Sequence, residues 1–235
     1  MFFFLPVATT ALLSRRPWTV YSLVGLCLAF LLIEFYPPAL HWMDVHLVFR
    51  PSDANVVASL GSSFMHAGLF HLTANMLVFY LFGAAVECRL GWWRFLVLYF
   101  VAAMSGDLLY TLLCPEYLSH VGSVGASGAI YGVLAAYLVS FRHTKVRALY
   151  LVFLLFYLRA GVAEISAAVV IVGYALLDLL WMLLSGMSSE INYAAHLGGF
   201  IAGLGLAFIL LRTLPRTEED EAEEEEPRAP TPPAR

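Results

Sequence analysis

Long apolar runs alternate with short polar clusters along this chain, and the length of the runs predicts helices of membrane-crossing size. Six runs stand out: Trp18–Tyr36, Leu72–Val86, Phe95–Leu113, Ala126–Phe141, Ser166–Leu184 and Ala195–Leu211. A helix needs about 20 predominantly apolar residues to cross a hydrocarbon core of about 30 Å. Lipid offers the backbone no hydrogen-bond partners, so such spans must be helical. A seventh apolar stretch, VRALYLVFLLFYL over 146–158, is short and sits among Lys145, Arg147 and Arg159. An interfacial or re-entrant segment fits it better than a crossing.

The expected fold is therefore all-α: a polytopic membrane helix bundle of six transmembrane helices with a long first outer loop. That loop, roughly residues 37–70, carries Trp42, Phe49, Phe64 and Phe70 and is expected to pack partly into the outer leaflet. Residues 1–16 read as a cytosolic or interfacial lead-in. Their apolar stretch precedes Arg15 and Arg16, the reverse of a secretory signal peptide. The membrane domain takes 17–213. The tail, 214–235, is acidic and proline-rich and is expected to be disordered.

Basic residues set the orientation. With the N-terminus in the cytosol, Arg15, Arg16, Arg89, Arg94, Arg142, Lys145, Arg147, Arg212 and Arg216 all fall inside, and the outer loops hold Arg50 and little else. This is the positive-inside pattern, and a seventh crossing would spoil it. Both termini are expected to be cytosolic, in an integral multi-pass protein of a prokaryotic cytoplasmic membrane.

Composition agrees. The chain is 61% hydrophobic and only 13% charged, whereas soluble domains carry about a quarter charged residues. The net charge of −4 misleads, because eight acidic residues lie in one run from Glu218 to Glu226. No basic patch interleaves with aromatics, which argues against nucleic acid as a partner. Cys27, Cys88 and Cys114 are scattered and make neither a disulfide framework nor a metal motif. No HExxH occurs, and no metal or cofactor is expected.

Polar residues within spans are costly unless paired or functional. They are few: His71, Asn75, Asp107, Ser127, Tyr131, Asp178 and His196. Ser127 lies in Gly125-Ala126-Ser127-Gly128 where the fourth span begins. There, free backbone N–H groups and the helix dipole favour a developing oxyanion. Alone, the motif is weak evidence and reads more readily as a serine-capped turn. Gly128 and Gly132 form one GxxxG pattern and Gly199 and Gly203 another, a spacing that lets helices approach closely. Ser127 and Tyr131 share a face of the fourth span, and His196 shares the glycine face of the sixth. If those faces meet, Ser127 Oγ and His196 come within hydrogen-bond range, and Tyr131 lies against the imidazole. A serine beside a histidine base is an activated nucleophile. His71 and Asn75, at i and i+4 on the second span, can donate hydrogen bonds to an oxyanion together with the Ser127 N–H.

Together GASG, AHLGGFIAG, HLTAN and AAVECRLG closely resemble the rhomboid intramembrane proteases, in the right order over about residues 18–212. The resemblance implies a Ser–His dyad without a third carboxylate: Ser127 as nucleophile and His196 as base. It also implies that His71 and Asn75 bind the oxyanion and that Tyr131 stacks on the base, and Glu87 and Arg89 stand where the family often carries an acid and a base at the cytosolic end. Substrates would be single-span membrane proteins reaching the site sideways through the lipid bilayer. The Trp-Arg pair common in the first outer loop of relatives is missing; His41-Trp42-Met43-Asp44 stands there instead. Two other readings compete: an inactive relative that binds membrane clients, and a small transporter using Asp107 and Asp178. The sequence leaves the oligomeric state open.

Overall fold

A computed structural model describes residues 2–154 and 157–214, with side chains omitted for 2–4 and 151–158. Eight α-helices build it: α1 (Trp18–Glu34), α2 (Pro37–Leu47), α3 (Val56–Ser62), α4 (Leu69–Leu90), α5 (Trp92–Leu113), α6 (Ser127–Ser140), α7 (Ala167–Ser185) and α8 (Tyr193–Leu211). All six expected spans are helices, each within a few residues of its expected ends. Helices α4, α5, α7 and α8 are long and apolar enough to cross a membrane, while α1 and α6 are shorter. The helices turn large apolar residues outward, among them Leu112, Leu183 and Ile209. Such a surface suits lipid, where outward apolar side chains carry no cost. The fold is a multi-pass helical membrane bundle.

Helix α6 is the axis of the bundle. It buries nine of its 14 residues, with Val133 and Tyr137 fully enclosed among Phe82, Phe95 and Tyr99. Fourteen residues rise only about 21 Å, well short of the hydrocarbon thickness. This short helix is held at the centre by longer neighbours, and its first residue is Ser127. Helix α7 is the opposite case. Only Ala167, Val170 and Ile171, all in its first turns, are buried.

Two local devices fix the turns around Gly91 and the start of α1. Gly91 alone links α4 to α5, at φ +82°, where a side chain would be strained. Glu87 accepts from the N–H groups of Thr19 (2.9 Å) and Val20 (2.8 Å) and so satisfies the start of α1, which has no capping side chain of its own. Arg15 donates to the Glu87 and Cys88 carbonyls at 3.3 and 2.8 Å. Glu87 thus serves the start of α1.

Three features depart from expectation. The first outer loop contains α2 and α3, and Asn55 Oδ1 caps α3 by accepting from Ala58 N–H at 2.9 Å. The stretch expected to be interfacial or re-entrant forms antiparallel strands β2 (Lys145–Leu154) and β3 (Tyr157–Ser166). The lead-in supplies β1 (Phe2–Thr9), which pairs with β2 in a sheet ordered β1-β2-β3. Val146 and Ala148 are buried while Arg147 and Leu149 are exposed, the two-residue alternation of a half-buried strand. Pro6, which cannot donate, sits on the edge strand where the register shifts. The pairing also puts residues 2–9 and the 145–166 hairpin on the same side of the bundle. The acidic tail, expected to be disordered, lies outside the described residues apart from Leu214.

Candidate active site

The glycine faces of α6 and α8 meet as their spacing predicts. A methyl added at Gly199 would overlap the Gly128 carbonyl oxygen, and one at Gly203 would overlap the Gly132 backbone. A methyl at Gly128 would stand 3.3 Å from the Ala195 carbonyl oxygen. Ser127 and His196, next to Gly128 and Ala195, are held at this crossing. Asn192 secures the start of α8: its Oδ1 accepts from Ala195 N–H at 3.0 Å, and its Nδ2 donates to Ser123 Oγ at 2.9 Å.

The His196 ring is fixed on two sides. Tyr131 stacks on it, with centroids 4.4 Å apart and planes 11° from parallel. Tyr193 approaches edge-on at 6.2 Å. Asp178 Oδ2 lies 2.6 Å from His196 Nδ1, with both side chains mostly enclosed. The resemblance implied a base without a carboxylate, and here the structure differs. Asp178 does not snorkel to the surface; α7 aims it at the imidazole. Among the described residues, no hydrogen bond joins Ser127 Oγ to His196. Catalytic hydrogen bonds are often long before substrate binds, and the backbone contact already sets the two residues side by side.

Ser127 is the first residue of α6, and Ala126 precedes it as the cap. The turn before it needs glycine twice over. Gly125 has φ +127°, and a methyl there would stand 2.8 Å from His71 Cε1, 3.1 Å from His71 Nε2 and 3.6 Å from Asn75 Nδ2. Ser62 O accepts from Gly125 N–H at 2.9 Å and pins the turn from α3. His71 and Asn75 therefore face the turn from α4. Ala67 N–H donates to His71 Nδ1 at 3.4 Å, so that nitrogen carries no proton and Nε2–H points toward the turn. Asn75 Nδ2 is buried with no partner among the described residues. Two unused donors thus flank the GASG turn, together with the free N–H groups at the start of α6.

Around this site, His66 packs edge-on to His71 at 5.2 Å. Burial, with the His71 charge adding to it, pushes His66 down to about 4, so it is neutral at physiological pH. Asp107, a carboxylate of α5, is buried and accepts from Ser59 Oγ at 2.6 Å. It ties α5 to α3. Sequence reasoning missed Ser62 and Asn192, which carry no signal beyond being polar residues in loops or helix ends. Among the described residues no group of His, Cys, Asp or Glu could hold a metal.

A Rhomboid domain matches residues 54–213. The chain is 30% identical over 189 residues to Rhomboid protein 1, mitochondrial, of Saccharomyces cerevisiae, covering 79% of this chain and 51% of that protein. It is 31% identical over 156 residues to RHOMBOID-like protein 2 of Arabidopsis thaliana, covering 65% and 41%. To YdcA of Bacillus subtilis, whose name proposes a rhomboid protease, it is 31% identical over 150 residues, covering 63% and 64%. The chain thus spans about half, or less, of the yeast and plant relatives. Relatives in a yeast mitochondrion, a plant and a bacterium do not single out the prokaryotic setting expected above. The matched domain takes in the α4 donors, the α6 serine turn and the α8 histidine, and this chain belongs to the rhomboid family.

Proposed function

We propose that this protein is an intramembrane serine endopeptidase that cleaves membrane-anchored proteins in or near the bilayer. Ser127 Oγ attacks the scissile carbonyl carbon while His196 Nε2 takes its proton. The tetrahedral oxyanion is held by the Ser127 N–H, His71 Nε2–H and Asn75 Nδ2. The C–N bond then breaks, His196 returns the proton to the leaving amine, and water hydrolyses the acyl-serine by the same route. Tyr131 keeps the ring in its attacking plane. The observation that carries this reading is the convergence on one glycine turn of a serine, a ring-stacked histidine and two unused donors, from three separate helices. The YdcA name points the same way.

Substrates of this class are single-span proteins, whose helices would reach the short α6 sideways through lipid. In this reading the β1 and 145–166 side, with its basic residues, and both termini face the cytosol, as the positive-inside rule favours. The test is cleavage of a fluorogenic single-span substrate in liposomes by the purified chain. Wild type should cut it, and Ser127→Ala should not. Cleavage by Ser127→Ala at the wild-type rate, or none by wild type across a panel of such substrates, would reject the reading in favour of an inactive client-binding relative.

A further inference from the structure

Helix α7 offers the bundle little to hold. Its buried residues, Ala167, Val170 and Ile171, all lie in its first turns. Two turns further on, where its apolar side chains Leu176, Leu177, Leu180 and Trp181 are exposed, it carries a carboxylate. An acid at that depth is costly without a partner, and the partner is His196. Asp178 Oδ2 and His196 Nδ1 are 2.6 Å apart, at least as short as the hydrogen bonds a charged carboxylate accepts from N–H. The bond goes to the nitrogen that the proposed chemistry does not use.

We propose that Asp178 is a positioning residue for the base, so that the site works as a Ser127–His196–Asp178 triad. This rests on the protease reading above. An ionised carboxylate can only accept, so Nδ1 must carry the proton and donate it to Asp178. The neutral ring then keeps its lone pair on Nε2, the atom that must take the Ser127 proton. With Asp178 gripping Nδ1 in the ring plane and Tyr131 stacked on the ring face at 4.4 Å, tilt and rotation of the imidazole are both restrained. When Nε2 takes the serine proton, the imidazolium forms against a fixed negative charge and is stabilised there. Asp178 itself keeps its charge through the cycle.

The surroundings leave this role to Asp178 alone among the described residues. From α6, Tyr131 faces His196, and its hydroxyl also faces Asp178. From α4 comes His71, whose Nδ1 accepts from Ala67 N–H and which supplies no negative charge. From α5, Asp107 is engaged by Ser59. On α8 itself Tyr193 sits edge-on to the ring. The bland alternative is that the pair only fastens α7 to α8. The two roles differ in what Asp178→Asn does, because an amide fills the same space and can still hydrogen-bond, but it carries no charge and can present a donor that favours the wrong tautomer.

The test combines turnover with a tautomer readout on the full-length chain in detergent or liposomes. With histidines labelled by 15N, and the His196 signals assigned by their loss in His196→Ala, wild type should show Nδ1 protonated and Nε2 bare at neutral pH. The opposite tautomer in wild type overturns the proposal without any Asp178 variant. In cleavage, Asp178→Asn should lower kcat by about 10²–10⁴ with KM changed less than about threefold, by analogy with the loss of the carboxylate charge in a serine-protease triad. Asp178→Glu should recover part of that loss. If Asp178→Asn keeps wild-type kcat and only melts earlier, or if KM rises while kcat holds, Asp178 is a fastener and the proposal falls. Ser127→Ala in the same assay separates the two claims. If that variant still cleaves, the protease reading has failed, whereas a dead Ser127→Ala with a fully active Asp178→Asn rejects only the triad.

Discussion

His71 and Asn75 stand one helical turn apart on α4, and each presents a donor to the GASG turn, one by tautomer and one by lack of any partner. A buried amide without a partner is normally a liability of about 1–3 kcal/mol. Here that cost makes sense if the partner arrives with substrate. Single replacements His71→Ala and Asn75→Ala should therefore lower kcat by about 10²–10³ each while the protein still folds. Steady-state kinetics with melting curves on the same samples check this. Unchanged kcat in both would mean that backbone N–H groups bind the oxyanion alone. Ser127, His196, His71, Asn75 and Tyr131 could be read from the sequence because each is a polar residue in a segment where lipid discourages them. The partner of Asp178 could not. Helical spacing puts a residue on a face, but the rotation of α7 against α8 is set by packing that the sequence does not spell out.

At the scale of elements, the α6–α8 crossing depends on Gly128, Gly132, Gly199 and Gly203, where backbone touches backbone. Gly199→Val should shift the crossing and lower both melting temperature and activity, since overfilling a packed core costs about 1–3 kcal/mol or more. Gly205, on the same helix, has nothing within 4 Å of an added methyl, so Gly205→Ala should leave both unchanged. Equal effects of the two would show that the close crossing does not matter. The spans were legible because run length and hydropathy survive whatever packs around them. The sheet was not. An apolar run of about a dozen residues carries no clear period to tell strand from helix, and the partner of β2 lies at the other end of the membrane domain, in residues 2–9. The loop helices α2 and α3 are short, and their caps are as ordinary as loop residues.

Across the whole molecule, the pairing of β1 with β2 links two cytosol-assigned segments, and the aromatic outer loop packs at the other end. Phe49 pairs with Ser123, and Ser52 N–H donates to Ser119 O at 2.9 Å. Ser52 and Ser119 should therefore be outside, with Arg94 and Lys145 inside. Single cysteines at these four positions, in a background without Cys27, Cys88 and Cys114, should react with an impermeant thiol reagent from outside only at 52 and 119. Labelling at 145 from outside would overturn the six-span topology. The short α6 begins at the turn that His71 and Asn75 face from α4 and crosses α8 beside Ala195. If His196 makes Ser127 a reactive nucleophile, a serine-directed fluorophosphonate probe should capture it. Mass spectrometry of the labelled protein should find the adduct on Ser127 in wild type and far less of it in His196→Ala. An adduct on another serine, or equal labelling of Ser127 without His196, would contradict the account.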